Sequence, residues 1–444
     1  MRYRLMIIVV AAAVSASAQH TGRWSLRQCI SHALDHNITI RQQDISRRQR
    51  AIDVNTAKNS RLPNLNASAS QNWEFGRGLT ADNTYTNSNS NNSHTSFTLG
   101  SSVPLFTGFK TSRTIQLNQL QLEAATADLE KARNDISVQV AQAYVQILYN
   151  NELCDVAQRQ VTVDSLQTVR LQQMFADGKA SGAQVAQQEA TLAQSRLTLT
   201  QALNDRHISL LTLSQLLELP SPEGFDVEVP EYDTTVISST ADIPSPEAIY
   251  EEALVVRPEI RAEQLRLQGT EKNIGIARSA LLPTLDLNAG LGTSYNQTSG
   301  WTSESFGRQM HNNFNQYVGL NLNIPLFNRF ATRNNIRSAR LSRDNQSLVL
   351  DNTRKALYKE IQQACYNTIA VAAKYASCQE ALKSSTAAFD LMQAKYEYGK
   401  ANITEFNEAK ANWLKAQSDL TCAKYEYMYD TALINFYRGR NIDF

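Results

Sequence analysis

Two residue pairs in this 444-residue chain have a spacing suited to chemistry. His32 and His36 lie four apart, which puts two imidazoles on one helix face, the spacing of a two-point metal grip. No Glu and no third ligand stands in a metal arrangement around them, so the pair reads as part of a solvated face. Glu405 and Glu408 lie three apart, again on one helix face, where two carboxylates either gather cations or simply face water. The five cysteines (Cys29, Cys154, Cys365, Cys378, Cys422) are odd in number and lack paired metal spacing, so they read as small core or surface residues. No Gly-rich phosphate loop, nucleophile elbow or Cys-His constellation occurs, and six unclustered methionines argue against a copper conduit. The expectation is a protein that is not an enzyme, with no cofactor and no metal.

The charge balance narrows the partners. Lys plus Arg number 43 against 42 Asp plus Glu, which leaves no electrostatic footprint for nucleic acid. Arg2 and Arg4 lead into the apolar stretch Leu5 to Val14 and then Ala16-Ser17-Ala18, so residues 1–18 read as a secretory signal peptide cleaved before Gln19. No later stretch approaches the roughly 18 apolar residues of a spanning helix, so any membrane passage must be made by strands.

The elements that position the pairs follow from where proline and glycine are missing. Proline is absent from Leu105 to Leu219 and from Leu326 to Phe444; glycine is absent from Phe109 to Asp177 and from Phe330 to Tyr398. Both residues are penalised inside helices, so these gaps predict two helices of nearly 70 residues, each on the order of 100 Å long. Apolar residues recur every seven positions at Ile115, Leu122, Leu129, Ile136 and Ala143, and at Leu350, Leu357, Ala364, Val371 and Cys378, with Ile361 and Leu382 filling alternate positions. Heptads of this kind predict helices pressed against partner helices, and the Ala-rich, partly polar seam suits a multi-helix wall.

The chain also repeats itself at an offset of 220 or 221 residues. Leu62-Pro63-Asn64-Leu65 matches Leu282-Pro283-Thr284-Leu285, Pro104-Leu105-Phe106 matches Pro325-Leu326-Phe327, and Gly178-Lys179-Ala180 matches Gly399-Lys400-Ala401. The expected organisation is a first repeat over 19–220, an acidic, Pro-rich connector over 221–246, and a second repeat over 247–444. Between the proline marks of each copy the period becomes alternating, predicting strands at about 64–75 and 94–106 and at about 284–295 and 314–326. Their length, their apolar/polar alternation and their terminal aromatics are those of an outer-membrane barrel around water; a soluble hairpin would alternate too. The segments Gly76 to Ser93 and Asn296 to Asn313, rich in Asn, Ser, Thr and Gly, read as surface loops. Four strands cannot close a barrel, so self-assembly is implied: two copies give eight strands and three give twelve. Shorter helices from about Ile38 to Arg61 and Ser181 to Leu217 nearly sum to the long helix beginning near Phe109, which suggests a helical cylinder.

These features together resemble the TolC family of outer-membrane efflux and export channels over essentially the whole mature chain. The resemblance implies a mixed fold: a long α-helical coiled-coil barrel plus a transmembrane antiparallel β-barrel, with four strands per protomer and twelve in a homotrimer. It implies a passive duct in the outer membrane extending into the periplasm, with a periplasmic adaptor and an inner-membrane pump as partners. By position from the glycine, Glu405 and Glu408 match the family's acidic constriction pair, which has aspartates, and Tyr396 matches its gating tyrosine. The tyrosine's usual acidic partner falls at Gln184 and the arginine of a second gate link at Ala401, so a latch held by weaker contacts is expected. Gly178, Lys179, Gly399 and Lys400 match the tips where adaptors dock. The other readings of the same chain are a non-conducting coiled-coil envelope protein and a type I protein-secretion duct.

Overall fold

The computed structural model describes residues 23–77, 84–85, 91–230, 244–299 and 302–443. The expected signal peptide, residues 231–243 of the connector and parts of both expected surface loops lie outside the described residues. The described chain is mostly helical. In order it forms β1 (Arg23–Trp24), α1 (Leu26–His36), α2 (Ile38–Asn59), β2 (Asn66–Glu74), β3 (Asn92–Phe106), α3 (Lys110–Ala176), α4 (Gly182–Leu216) and β4 (Asp226–Val227). Then follow α5 (Pro246–Val256), α6 (Pro258–Ser279), β5 (Thr284–Thr298), α7 (Phe306–Asn312), β6 (Asn315–Asn323), α8 (Ala331–Glu397) and α9 (Ile403–Tyr437). The long helices α3 and α8 each run 67 residues, as the missing prolines and glycines require. Two compact units result, and each draws on both halves of the sequence.

One unit comprises Gln42–Lys131 and Pro258–Ala356 and holds a four-stranded antiparallel sheet in the order β2-β3-β5-β6. Its register aligns like with like. Ala67 sits opposite Leu99, which sits opposite Leu291, and Leu287 sits opposite Leu320; the other face carries Ser68 opposite Thr98, which meets Gly292. Because cross-strand neighbours share a face, the alternation in each strand adds up to one apolar face and one polar face. Hydroxyls bridge strands on the polar face, Ser68 to Thr98 at 2.6 Å and Ser70 to Ser96 at 2.7 Å. The second expected surface loop contains a helix. In α7, Gln309 takes both backbone groups of Asn296 (2.9 and 3.0 Å), and the Thr293 hydroxyl donates to the Met310 carbonyl at 2.7 Å. Seven residues are too few for a helical period to show in sequence. On the helices of this unit, Ile45 and Ile52 of α2 and Leu341 and Leu348 of α8 are each more than half exposed at seven-residue spacing.

The other unit comprises the segment ending at Arg41, Ala132–Arg257, and the chain from Leu357 onward. The heptad residues Ile136, Leu357, Ile361 and Ala364 are buried here, and α8 packs on α9 through Ala372, Tyr375, Ala423 and Tyr427. β1 and β4 pair in parallel, and Tyr144 lies with its hydroxyl 2.5 Å from the Glu228 carbonyl oxygen and 3.2 Å from that of Trp24. All five cysteines are free thiols, three of them buried. His32 and His36 stack ring on ring at 4.1 Å, with His32 also meeting the edge of Trp24.

Candidate gate and docking site

The expected site residues all lie in the second of these units, where two helical hairpins turn. α3 ends on Gly178 at φ +71° and α8 on Gly399 at φ +67°, a left-handed conformation that glycine adopts without a Cβ clash. Each turn closes in the same way. Lys179 N–H donates to the Met174 carbonyl at 2.7 Å and Gly178 N–H to that of Phe175 at 3.0 Å; Lys400 N–H donates to Lys395 at 2.8 Å and Gly399 N–H to Tyr396 at 3.1 Å. This crossed pair of bonds satisfies carbonyls that the helix end leaves open. The glycines and lysines of both turns are exposed, Ala180 and Ala401 being the half-buried members.

The return helices start on matching caps. Ser181 and Gln184 exchange side-chain and backbone bonds at the start of α4; Asn402 and Glu405 do the same at the start of α9. The Glu405 carboxylate accepts the Asn402 N–H at 3.0 Å, and Asn402 Oδ1 accepts the Glu405 N–H at 2.8 Å. Glu405 therefore has a structural duty besides its charge, and its negative charge at a helix N-terminus is favoured there. Glu408 follows one turn later, exposed like Glu405.

Tyr396, in the last turn of α8, stacks on Phe406 with ring centres 5.0 Å apart. Phe406 in turn meets Phe389, and Phe389 stacks on Trp413 at 5.0 Å, forming an aromatic run between α8 and α9. The guanidinium of Arg170 on α3 stands 5.9 Å from the Tyr396 ring centre and donates to the Glu397 carbonyl at 3.4 Å. Deeper in the unit, the Lys410 ammonium of α9 meets the Asp164 carboxylate of α3 in an ion pair whose side chains are 4% and 0% exposed. Asp164 also accepts from Ser195 at 2.5 Å, Gln160 at 2.7 Å and Gln188 at 3.4 Å. Beside it a groove of about 730 Å³ runs along α3, α4 and α9, lined by residues that include Gln187, Gln194, Asn407 and Lys410.

The family described as outer membrane efflux protein matches residues 29–218 and 249–438. The chain belongs to the outer membrane efflux protein family. It is 26% identical over 284 residues to the pyoverdine export outer membrane protein OpmQ of Pseudomonas aeruginosa, covering 63% of this chain and 56% of that protein. The chain thus spans little more than half the length of that relative. It is 22% identical over 442 residues to the outer membrane protein TolC of Escherichia coli, covering 96% of this chain and 84% of that one. The crystal structure of the Campylobacter jejuni CmeC outer membrane channel superposes with a TM-score of 0.79 at 21% identity, covering 94% of this chain and 86% of that chain. The efflux protein is accordingly a duct of the cell outer membrane that extends into the periplasm.

Within the efflux protein, Tyr396, Gly399, Lys400, Glu405 and Glu408 gather at one hairpin turn, and Gly178 and Lys179 form the other. Gln184 is taken up in its own helix cap. Sequence reasoning missed Arg170, Asp164 and Lys410. A signal existed for the last two: Asp164 interrupts the buried series Ala157 and Leu171 at seven-residue spacing, and Lys410 falls between Phe406 and Trp413 at apolar positions. A charge on a buried stripe announces a partner on another helix.

Proposed function

We propose that the efflux protein acts as a homotrimer in which three four-stranded sheets pair edge to edge into one twelve-stranded transmembrane barrel, continued by an α-helical coiled-coil barrel in the periplasm. The observation that carries this is the sheet itself: an apolar face, a polar face, and β2 and β6 as edges with backbone groups to satisfy. Edges in lipid are costly, and pairing β6 with the next copy's β2 removes them all. The exposed heptad residues Ile45, Ile52, Leu341 and Leu348 support the same reading, since burying what remains exposed of each against a neighbour is worth about 1–2 kcal/mol. The chain is one structural unit written twice, over 19–220 and 247–444, joined by the 221–246 connector after a signal peptide at 1–18. Helix lengths of 11, 22, 67 and 35 residues recurring in the same order in both halves support the duplication.

The duct is passive and not an enzyme. Solutes enter from an inner-membrane pump that supplies the energy, and a periplasmic adaptor docks at the tips Gly178, Lys179, Gly399 and Lys400. Glu405 and Glu408 from three protomers put six carboxylates at the inner constriction, which attract cations and repel anions, with Tyr396 holding the closed gate. Small-molecule efflux is the favoured cargo class; a protein-secretion duct would share the architecture.

The test is conductance in a planar bilayer, wild type against Glu405→Gln/Glu408→Gln. Gln184 already fills the capping role in the first hairpin, so glutamine at 405 keeps the cap and removes only charge. A cation-selective pore that loses selectivity in the double variant supports duct and constriction together. Unchanged selectivity removes the two glutamates from the constriction; a silent wild type leaves a shut gate or a structural spacer, and a folded protein that conducts neither as wild type nor as Tyr396→Leu overturns the duct in favour of the spacer.

A further inference from the structure

Two contacts tie α3 to the α8–α9 hairpin near its turn, and they differ in kind. The Asp164–Lys410 pair is sealed: both side chains are buried, and the carboxylate is held as well by Ser195 and Gln188 of α4 and by Gln160 of α3 itself. Six residues closer to the turn, Arg170 makes an exposed contact with two features of α8 at once. It lies over the face of the Tyr396 ring, where the π electrons attract a cation, and it donates to the Glu397 carbonyl in the last turn of the helix, where the open carbonyls carry partial negative charge. Tyr396 is itself backed by Phe406 of α9, so Arg170 holds a ring fixed to the other hairpin.

An exposed cation–ring contact is weak and reversible; a sealed ion pair with three further hydrogen bonds is neither. Any parting of the hairpin turns must therefore release Arg170 first while Asp164 and Lys410 stay joined. Fourteen residues separate Asp164 from Gly178, a lever of about 21 Å, so a tilt of roughly 15° moves the turn by about 5 Å.

We propose that Arg170 is the latch of the inner gate, closing on the face of the Tyr396 ring, and that the buried Asp164–Lys410 pair is the pivot about which the turn opens. The proposal rests on the gate assigned to Tyr396, Glu405 and Glu408 above. It differs from a latch through the tyrosine hydroxyl in what it demands of the side chains: a guanidinium on α3 and an aromatic face on α8, from residues 226 positions apart.

Single-channel recording of the full-length protein in planar bilayers, scored as the fraction of time open, tests this with Arg170→Gln, Tyr396→Leu, Tyr396→Phe and Asp164→Leu/Lys410→Met. Arg170→Gln and Tyr396→Leu are expected to raise the open fraction at least about threefold, and their combination to add little, because both delete one contact. Tyr396→Phe keeps the ring and is expected to have less than about a third of the effect of Tyr396→Leu. The apolar Leu/Met pair keeps the pivot packed and is expected to open the channel less than Arg170→Gln does. If Tyr396→Phe opens as far as Tyr396→Leu, the hydroxyl is the latch and Arg170 is not. If the Leu/Met pair opens it as far as Arg170→Gln, the buried pair is the latch, which also overturns the proposal. If Arg170→Gln and Tyr396→Leu do nothing while Glu405→Gln/Glu408→Gln alters selectivity, the latch fails and the constriction stands; if none of these variants has an effect, the gate assignment fails with it.

Discussion

Replacing Asp164 by alanine is the most demanding test of the packing around the helical hairpins. The substitution strands the Lys410 ammonium among buried side chains and removes the acceptor of Ser195, Gln160 and Gln188. Deleting one partner of a buried pair costs about 3–5 kcal/mol, because the remaining charge keeps its desolvation penalty and loses its compensation. At roughly 2 cal/mol/K of unfolding entropy per residue, a chain of this length unfolds with an entropy near 0.9 kcal/mol/K, so the apparent Tm should fall by about 3–5 °C. The assay is thermal loss of helical circular dichroism for the purified protein in detergent. Asp164→Leu/Lys410→Met should recover most of the loss, since an apolar pair of similar volume replaces a buried ion pair at little or no cost. A single variant within about 1 °C of wild type would refute the reasoning, as would a double variant less stable than the single one.

Burial, with Glu426 nearby, raises the Asp430 carboxyl from 3.8 to about 6. The folded protein then binds the proton more tightly than the unfolded chain, so this group lowers stability increasingly as pH rises from about 4 to about 6, and fully above that. Asp430→Asn should therefore be more stable than wild type by about 1–2 kcal/mol at pH 8, after discounting for partial exposure, with the gap closing by pH 4. Melting curves across that range check it, and a gap that persists in acid counts against the burial argument. Gly178→Ala/Gly399→Ala meets no neighbour, only the cost of a positive φ, about 1–2 kcal/mol per site, read as a Tm lowered by about 2–4 °C. Ile45→Asp/Ile52→Asp should abolish assembly, leaving monomers by light scattering; a persistent trimer would remove α2 from the interface.

Much of the fold was legible because two residue types were absent. The missing prolines and glycines bounded α3 and α8 to within a residue or two, and the alternation located all four strands of the sheet. The ends were less clear: β5 runs on to Thr298, and α7 hides in a stretch whose composition reads as loop. At the turns, the capping-box spacing Asn402-x-x-Glu405 stands in the sequence as plainly as the i,i+3 carboxylates, and Glu405 belongs to both patterns. Arg170 meets Tyr396, and Asp164 meets Lys410, only because α3 lies beside α8 and α9, a neighbourhood that spacing within any one helix does not encode.

The two hairpin turns share a backbone but not a chemistry. Gly178 and Gly399 end their helices through the same bonds, and the same reciprocal cap starts each return helix, yet the cap is Ser with Gln in one and Asn with Glu in the other. In the proposed trimer the mouth would have six turns of nearly one shape, of which every second one is acidic. Its outline would be close to hexagonal while its electric field kept only triangular symmetry. A small cation would meet three acidic lobes a third of a turn apart, and a neutral, hydrogen-bonding cargo could pass along the sectors between them, where Asp177 and Lys179 balance each other. Duplication in this reading supplied the mechanical frame twice and left one copy free to take on selectivity without disturbing a single turn.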